Sequence, residues 1–195
     1  MKRIFLLPFF LSFTFYLQAQ VVWGGAGDAD SEFNGGLNGW TTNGITCMDA
    51  VWVWEADGMA DLGAYSGSTP IASPSVSNGA MVFDSDFYDN AGIQGNFGLG
   101  ICASPQVAEL ISPVMDLTGA GALSLQFNQY FRQFNSVYKV AWSADGGNSW
   151  SDDIIFNDDV AVNQASTPND VESVPLKGAT GSSQFRIKFI IEGDY

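Results

Sequence analysis

The side chains best suited by type and spacing to do chemistry are two acidic clusters, Asp28-x-Asp30-x-Glu32 and Asp84-x-Asp86-x-x-Asp89. Calcium takes six to eight oxygen ligands from carboxylates, carbonyls and water, and carboxylates at alternating positions of a loop can converge on one ion. Calcium is therefore the expected cofactor, with Glu32, Asp84, Asp86, Asp89, Asp28 and Asp30 as its candidate ligands. The second cluster is not an EF-hand. Counted from Asp84, the position that needs Gly is Asp89, and the position that needs Glu is Gly95. The plainer alternative at both places is an acidic, solvated turn.

The 195 residues include no histidine. Ser-His-Asp triads, Cys-His pairs and histidine-ligated metals are thereby excluded. A two-carboxylate glycosidase is compatible with the composition, but no acidic pair stands out in an apolar, strand-rich setting. Asp152-Asp153 and Asp158-Asp159 read as exposed loop charge. No reaction class can be filled with named roles, so a non-enzyme is expected. Aromatic side chains offer a different chemistry, stacking on sugars. Trp52, Trp54 and Tyr88 are the candidates, with Trp52 and Trp54 on one face of a short β run. The competing reading is that these rings fill the core. Ser143-Ala144-Asp145-Gly146-Gly147-Asn148-Ser149-Trp150 matches the Asp-box pattern S-x-D-x-G-x-[ST]-W. Asp boxes occur in sialidases, whose propellers carry several boxes and an arginine triad. This chain has one box and, after residue 20, only Arg132 and Arg186. The motif therefore reads as a hairpin in which Asp145 caps the turn, the glycines take positive φ and Trp150 packs back.

These groups must be positioned by β structure. Hydrophobic residues make up 46%, charged residues 14%, and there are 22 glycines, which suits short strands joined by turns. Val51–Trp54 and Gly79–Phe83 are short β runs, and Ala108–Ile111 is another. Leu123, Leu125 and Phe127 alternate with polar residues, as do Tyr138, Val140 and Trp142, and Phe185, Ile187, Phe189 and Ile191. Period two of this kind marks half-buried antiparallel strands. No segment has a convincing amphipathic helical pattern. The expectation is an all-β, antiparallel two-sheet sandwich.

The formal charge is −14. Residues 1–20 carry two of the seven basic residues and none of the 21 acidic ones, so the remainder holds five against 21, a net of −16. Such a surface repels phosphate backbones and anionic lipid, which argues against nucleic-acid and membrane-surface partners. Lys2 and Arg3, the apolar run Ile4–Leu17 and the Ala19-Gln20 junction form a signal-peptide pattern over residues 1–20. A secreted or cell-surface protein is expected, with no membrane insertion once the signal is removed. Export permits a Cys47–Cys102 disulfide, but the spacing alone leaves a bridge and two buried thiols both open.

Several segments, taken in order, resemble cleaved adhesin domains of the gingipain and haemagglutinin type, and the related MAM modules. Glu32-Phe33-Asn34-Gly35 with Gly39-Trp40-Thr41 is similar to their opening. Gly79–Asp86 resembles their NG-x-M-x-F-D-S-D segment, and Ala108–Leu117 resembles A-x-L-x-S-P-x-x-D-L. Leu125–Arg132, the box at Ser143–Trp150 and Phe185–Phe189 follow in the same order. Together they span nearly all of residues 21–195. The resemblance implies a jelly-roll β-sandwich with structural calcium. It further implies a non-catalytic module of a larger multidomain protein, often exported by the type IX route, that adheres to an extracellular protein or glycan. A carbohydrate-binding accessory module of a secreted protease or glycoside hydrolase is the alternative. By position, Asp84, Asp86 and Glu32 match the family's acidic residues. Members usually continue into a closing W-x-I-D-D-V strand, and this sequence does not include one, so a C-terminally truncated domain is expected.

Overall fold

The computed structural model describes residues 20–193. The expected leader, apart from Gln20, lies outside them. Among the described residues nine strands form, all paired antiparallel. In chain order they are β1 (Thr41–Gly44), β2 (Val53–Glu55), β3 (Ala80–Val82), β4 (Gln106–Ile111), β5 (Leu123–Gln129), β6 (Val137–Ser143), β7 (Ile154–Phe156), β8 (Asp170–Leu176) and β9 (Arg186–Gly193). One short helix, α1 (Ser85–Asn90), follows β3. Five strands make one sheet in the order β1-β4-β9-β6-β7, and β2-β3 and β5-β8 are separate two-stranded ribbons. Among the described residues no helix is long and apolar enough to cross a membrane.

Alternation places the core. Leu110 of β4, Val140 of β6 and Ile187 of β9 are buried together with Trp40, Met115, Leu176 and Phe185. Both ribbons cover this cluster. Phe127 of β5 sets its ring 4.9 Å from Phe189 and 5.4 Å from Phe156. Trp52 and Met81 pack on the same cluster from the β2-β3 side. On the other face of the large sheet, Lys188 donates to Glu109 at 2.6 Å and lies 4.7 Å above the Trp150 ring.

The period-two segments became β5, β6 and β9, and the short run Ala108–Ile111 became β4, with ends moved by one or two residues. β1, β7, β8 and α1 were not anticipated. β8 hides its pattern because Asp170 and Glu172 share the face of the buried Val174 and Leu176, while Val171 is 53% exposed. Pro175 weakens the signal further. Pro, which has no N–H, is tolerated here because β8 pairs only with β5. Residues 84–89, read as a calcium loop with an acidic, solvated turn as the alternative, form the start of a helix. The Asp84 carboxylate accepts from Phe87 N at 3.1 Å, an N-cap, and Ala91 closes α1 in a left-handed conformation.

Cys47 and Cys102 form a disulfide with Cα atoms 5.9 Å apart. Cys102 lies in a second apolar cluster with Ala50 and Tyr88, so the bridge ties the segment after β1 to the segment after α1.

Candidate binding site

The two acidic clusters meet different fates. Asp84 is 7% exposed, and besides capping α1 it accepts from Leu62 N at 2.9 Å, Gly63 N at 3.1 Å and the Ser66 hydroxyl. Asp86 accepts from Tyr65 N at 2.6 Å and from the Asn90 amide. Asp89 is fully buried and accepts from Gly98 N at 3.0 Å and Ser104 N at 3.1 Å. These carboxylates organise two loops. A Cβ on Gly63 would come within 2.4 Å of the Asp86 carboxylate, so only Gly lets the chain pass so close. Protein donors thus already hold these carboxylates in place, Asp84 most completely, with four of them.

The first cluster is less committed. Asp28 accepts from Ser31 N at 2.8 Å, and Glu32 accepts from the Asn78 amide at 3.1 Å. Asp30 contributes its backbone oxygen to the Trp40 indole N–H at 2.7 Å, and its side chain is exposed. Asp28, Asp30 and Glu32 keep carboxylate oxygens without protein donors, and carboxylate suits calcium in type. Among the described residues no group of three or more His, Cys, Asp or Glu is gathered as a metal cage.

The three aromatic candidates are also sorted. Tyr88 does not present a face for stacking. It is 8% exposed, its ring packs against Phe83 and Phe87, and its hydroxyl donates to Val51 O at 2.6 Å. Burial pushes its phenol pKa up, against the opposing effect of that hydrogen bond. Trp54 donates its indole N–H to Phe33 O at 2.9 Å and lies on Gly79. Gly79 has φ +88°, and a Cβ there would sit 2.5 Å from the indole, so the position requires glycine. Trp52 tilts against Phe83 at 5.7 Å and packs on the main core. Trp52 and Trp54 therefore anchor the β2-β3 ribbon. Exposed ring pairing occurs elsewhere, at Tyr65 and Phe97, stacked 5.6 Å apart and 40% and 51% exposed. Their spacing in sequence, 65 and 97, offered no local signal.

Between the two ribbons runs a groove of about 1150 Å³. Its floor is the large sheet, with Leu110, Ile187 and Phe189, and its walls are β3, β5 and the loop 58–75. Trp52, Tyr65, Phe97 and Tyr138 also line it. Burial holds the Tyr138 phenol up at about 12, so it stays neutral across the physiological range. One end is strapped: Arg132 Nη1 donates to Tyr65 O at 3.3 Å, and Ala72 N donates to Pro168 O at 2.6 Å.

The Asp box lies away from the groove as the β6-β7 hairpin. Ser143 Oγ donates to Asp145 Oδ1 at 2.7 Å, and Asp145 accepts from Ser149 Oγ at 2.6 Å and Ser149 N at 2.9 Å. Gly146 and Gly147 take φ +75° and +95°. The Ser149 hydroxyl first, then its backbone N–H and Ser143, hold the Asp145 carboxyl down at about 2. Because the folded value is depressed below 3.8, this contribution to stability is present above that pH and disappears as pH falls through about 2. Carboxyl-carbon NMR should show Asp145 titrating near 2, and Ser149→Ala should move it upward; a midpoint close to 3.8 in the parent chain would contradict this hairpin.

Comparison with protein-family models, with curated proteins and with solved structures gave no match.

Proposed function

We propose that this chain is a non-catalytic binding module of adhesin type, secreted or displayed at a cell surface, built as a jelly-roll β-sandwich and stabilised by calcium. Its ligand is an extracellular protein or glycan, and the module belongs to a larger multidomain protein. The supporting observation is the groove, a broad apolar trough between antiparallel ribbons whose walls carry no histidine and no cysteine. Sites that bind without reacting need shape, apolar surface and a few polar anchors, and the groove supplies these in Phe189, Leu125 and Met81 with Glu32, Asp86 and Arg132 at its margins. The strand-rich, antiparallel architecture with both ribbons over one face of a five-stranded sheet accords with the sandwich. The signal-peptide pattern and the disulfide accord with an oxidising compartment.

Calcium enters this reading through Asp28, Asp30 and Glu32. Binding there would hold the opening turn Asp28–Gly36 against Asn78, and hence against the start of β3. Anything that binds only the native state raises stability by RT ln(1 + [L]/Kd), about 2.7 kcal/mol at one hundred times Kd. Thermal unfolding with calcium and with a chelator tests it. A higher melting temperature in calcium, abolished by Glu32→Gln, is expected; identical melting in both would remove the ion from the proposal. A carbohydrate-binding module is the second reading, favoured by the exposed Tyr65–Phe97 pair. Saturable glycan binding lost on Phe97→Ala, with the fold intact, would select it.

A further inference from the structure

The outer face of the five-stranded sheet gathers cations in an acidic chain. Residues 21–195 hold five basic side chains against 21 acidic ones, and three of the five, Lys139, Arg186 and Lys188, share this face. β9 turns Ile187 and Phe189 toward the core and Arg186 and Lys188 outward. Two of these cations are matched. Lys188 Nζ meets Glu109 at 2.6 Å, and Lys139 Nζ meets Glu192 at 2.5 Å and Asp153 at 3.6 Å. Arg186 is not matched. Its side chain makes no ion pair and no hydrogen bond, and its Nε–H is buried without an acceptor. In a chain so rich in carboxylates this is a specific omission, because a charged group's donor kept from both water and an acceptor is destabilising.

The neighbouring hairpin has a carboxylate, but it is engaged elsewhere. Asp145 is held by Ser149 and by Ser143, the residue that pairs with Arg186 across β6 and β9. Trp150, from the same hairpin, stands beside Arg186. A Cβ on Gly147 would lie 3.4 Å from Trp150 Cζ2 and 3.6 Å from Arg186 Nη1, so the glycine leaves room where the indole and the guanidinium meet. Its φ of +95° keeps larger residues out of that place. Lys188, tied to Glu109, sets its ammonium 4.7 Å from the Trp150 ring centroid and so steadies the ring. The Trp150 indole N–H has no acceptor within the protein, and Arg186, Gly147 and Trp150 are all part-exposed. None of Arg186, Trp150 and Lys188 lines the groove.

We propose that Arg186 and Trp150, with Lys188 positioning the indole, form a site for the carboxylate of an acidic sugar, a hexuronate on an otherwise neutral glycan. A guanidinium takes a carboxylate through two parallel hydrogen bonds. The indole offers apolar ring surface and a free N–H to the pyranose beside it. Place in the fold argues against a peptide strand, since β9 is paired on both sides, by β4 and β6, and offers no open backbone edge. The net charge of −16 over residues 21–195 repels a polyanion and favours a ligand with a single carboxylate. This site goes beyond the groove and stands whether or not the groove binds a ligand.

The test uses the whole purified chain, isotopically labelled for NMR and titrated with methyl glucuronoside, methyl glucoside or sodium acetate. The glucuronoside should shift the Trp150 indole and Arg186 Nε–H signals saturably. It should bind at least about tenfold more tightly than the glucoside, the difference a charge-assisted hydrogen-bonded pair makes. Added salt should weaken it. Arg186→Gln should abolish these shifts, Arg186→Lys should restore only part of the affinity, and Lys177→Gln, after β8, should change nothing. Melting of each variant is recorded; if Arg186→Gln does not fold, Trp150→Phe, which keeps a ring and removes the indole N–H, takes its place and should weaken binding. The absence of saturable shifts, or equal affinity for glucuronoside and glucoside, overturns the proposal. Acetate binding as tightly as the glucuronoside would reduce the place to a bare anion site and overturn the sugar. Tighter binding of acetyl-Gly-Glu-Gly-amide would make the partner an acidic peptide and overturn it as well. Shifts confined to residues of the groove would put the sugar there and overturn this site alone.

Discussion

Asp84→Ala is expected to destabilise the fold by roughly 3–5 kcal/mol, since it removes a helix cap and leaves several donors without an acceptor. Asp84 is 7% exposed, and the substitution would strip partners from Leu62 N, Gly63 N, Phe87 N and the Ser66 hydroxyl at once. A fully buried orphaned donor costs about 1–3 kcal/mol, and these part-buried ones less wherever water can enter the space left by the side chain. Asp84→Asn should lie between, because an amide keeps one accepting oxygen but turns an NH₂ toward donors. Urea unfolding read by tryptophan fluorescence checks both. The comparison with calcium is informative as well. A carboxylate that anchors a loop gives the same loss in calcium and in chelator, whereas a loss seen only with calcium present would make Asp84 an ion ligand and reverse the assignment made from its donors.

Loss of the Cys47–Cys102 bridge should cost about 4 kcal/mol on the chain-entropy model for a separation of 55 residues. For a domain of this size that corresponds to roughly 8–16 °C in melting temperature. The double variant Cys47→Ala with Cys102→Ala is the cleaner form, because Cys102 is 2% exposed and a serine there would bury a hydroxyl. Calorimetry of the parent, the parent in reductant and the double variant should place the last two together below the first. Indistinguishable melting of all three would mean that the bridge constrains nothing in the unfolded chain. The bridge also braces the segment that carries Asp89, whose carboxylate holds Gly98 N and Ser104 N, so reduction should speed amide exchange there first.

Most of the β framework was legible in the sequence. β5, β6 and β9 announce themselves through side chains alternating between two faces, a signal contained in a few consecutive residues, and β4 as a short run ended by Ser112-Pro113. β8 escaped because its inward acid is satisfied from far away: Gln129 Nε2 donates to Asp170 Oδ2 at 2.7 Å across 41 residues. Nothing within 170–176 says that such a partner exists. The same holds for the acidic clusters. Composition showed that carboxylates are the available chemistry, but whether Asp84 meets a cation or a set of N–H groups depends on a loop beginning 22 residues earlier. Trp52, Trp54 and Tyr88 illustrate the converse, since aromatic type suits a core and a binding surface equally well.

Residue types and local periods alone determined that this is an antiparallel all-β protein, acidic after its first twenty residues and without histidine chemistry. Charge, side-chain type and the two-residue period need no knowledge of distant partners. Only the tertiary structure decided that the second cluster anchors loops, that the cysteines pair, and that Arg186 stands beside Trp150 without a carboxylate. Each of those depends on contacts between segments tens of residues apart, and a missing partner becomes visible only once the neighbouring groups have found theirs.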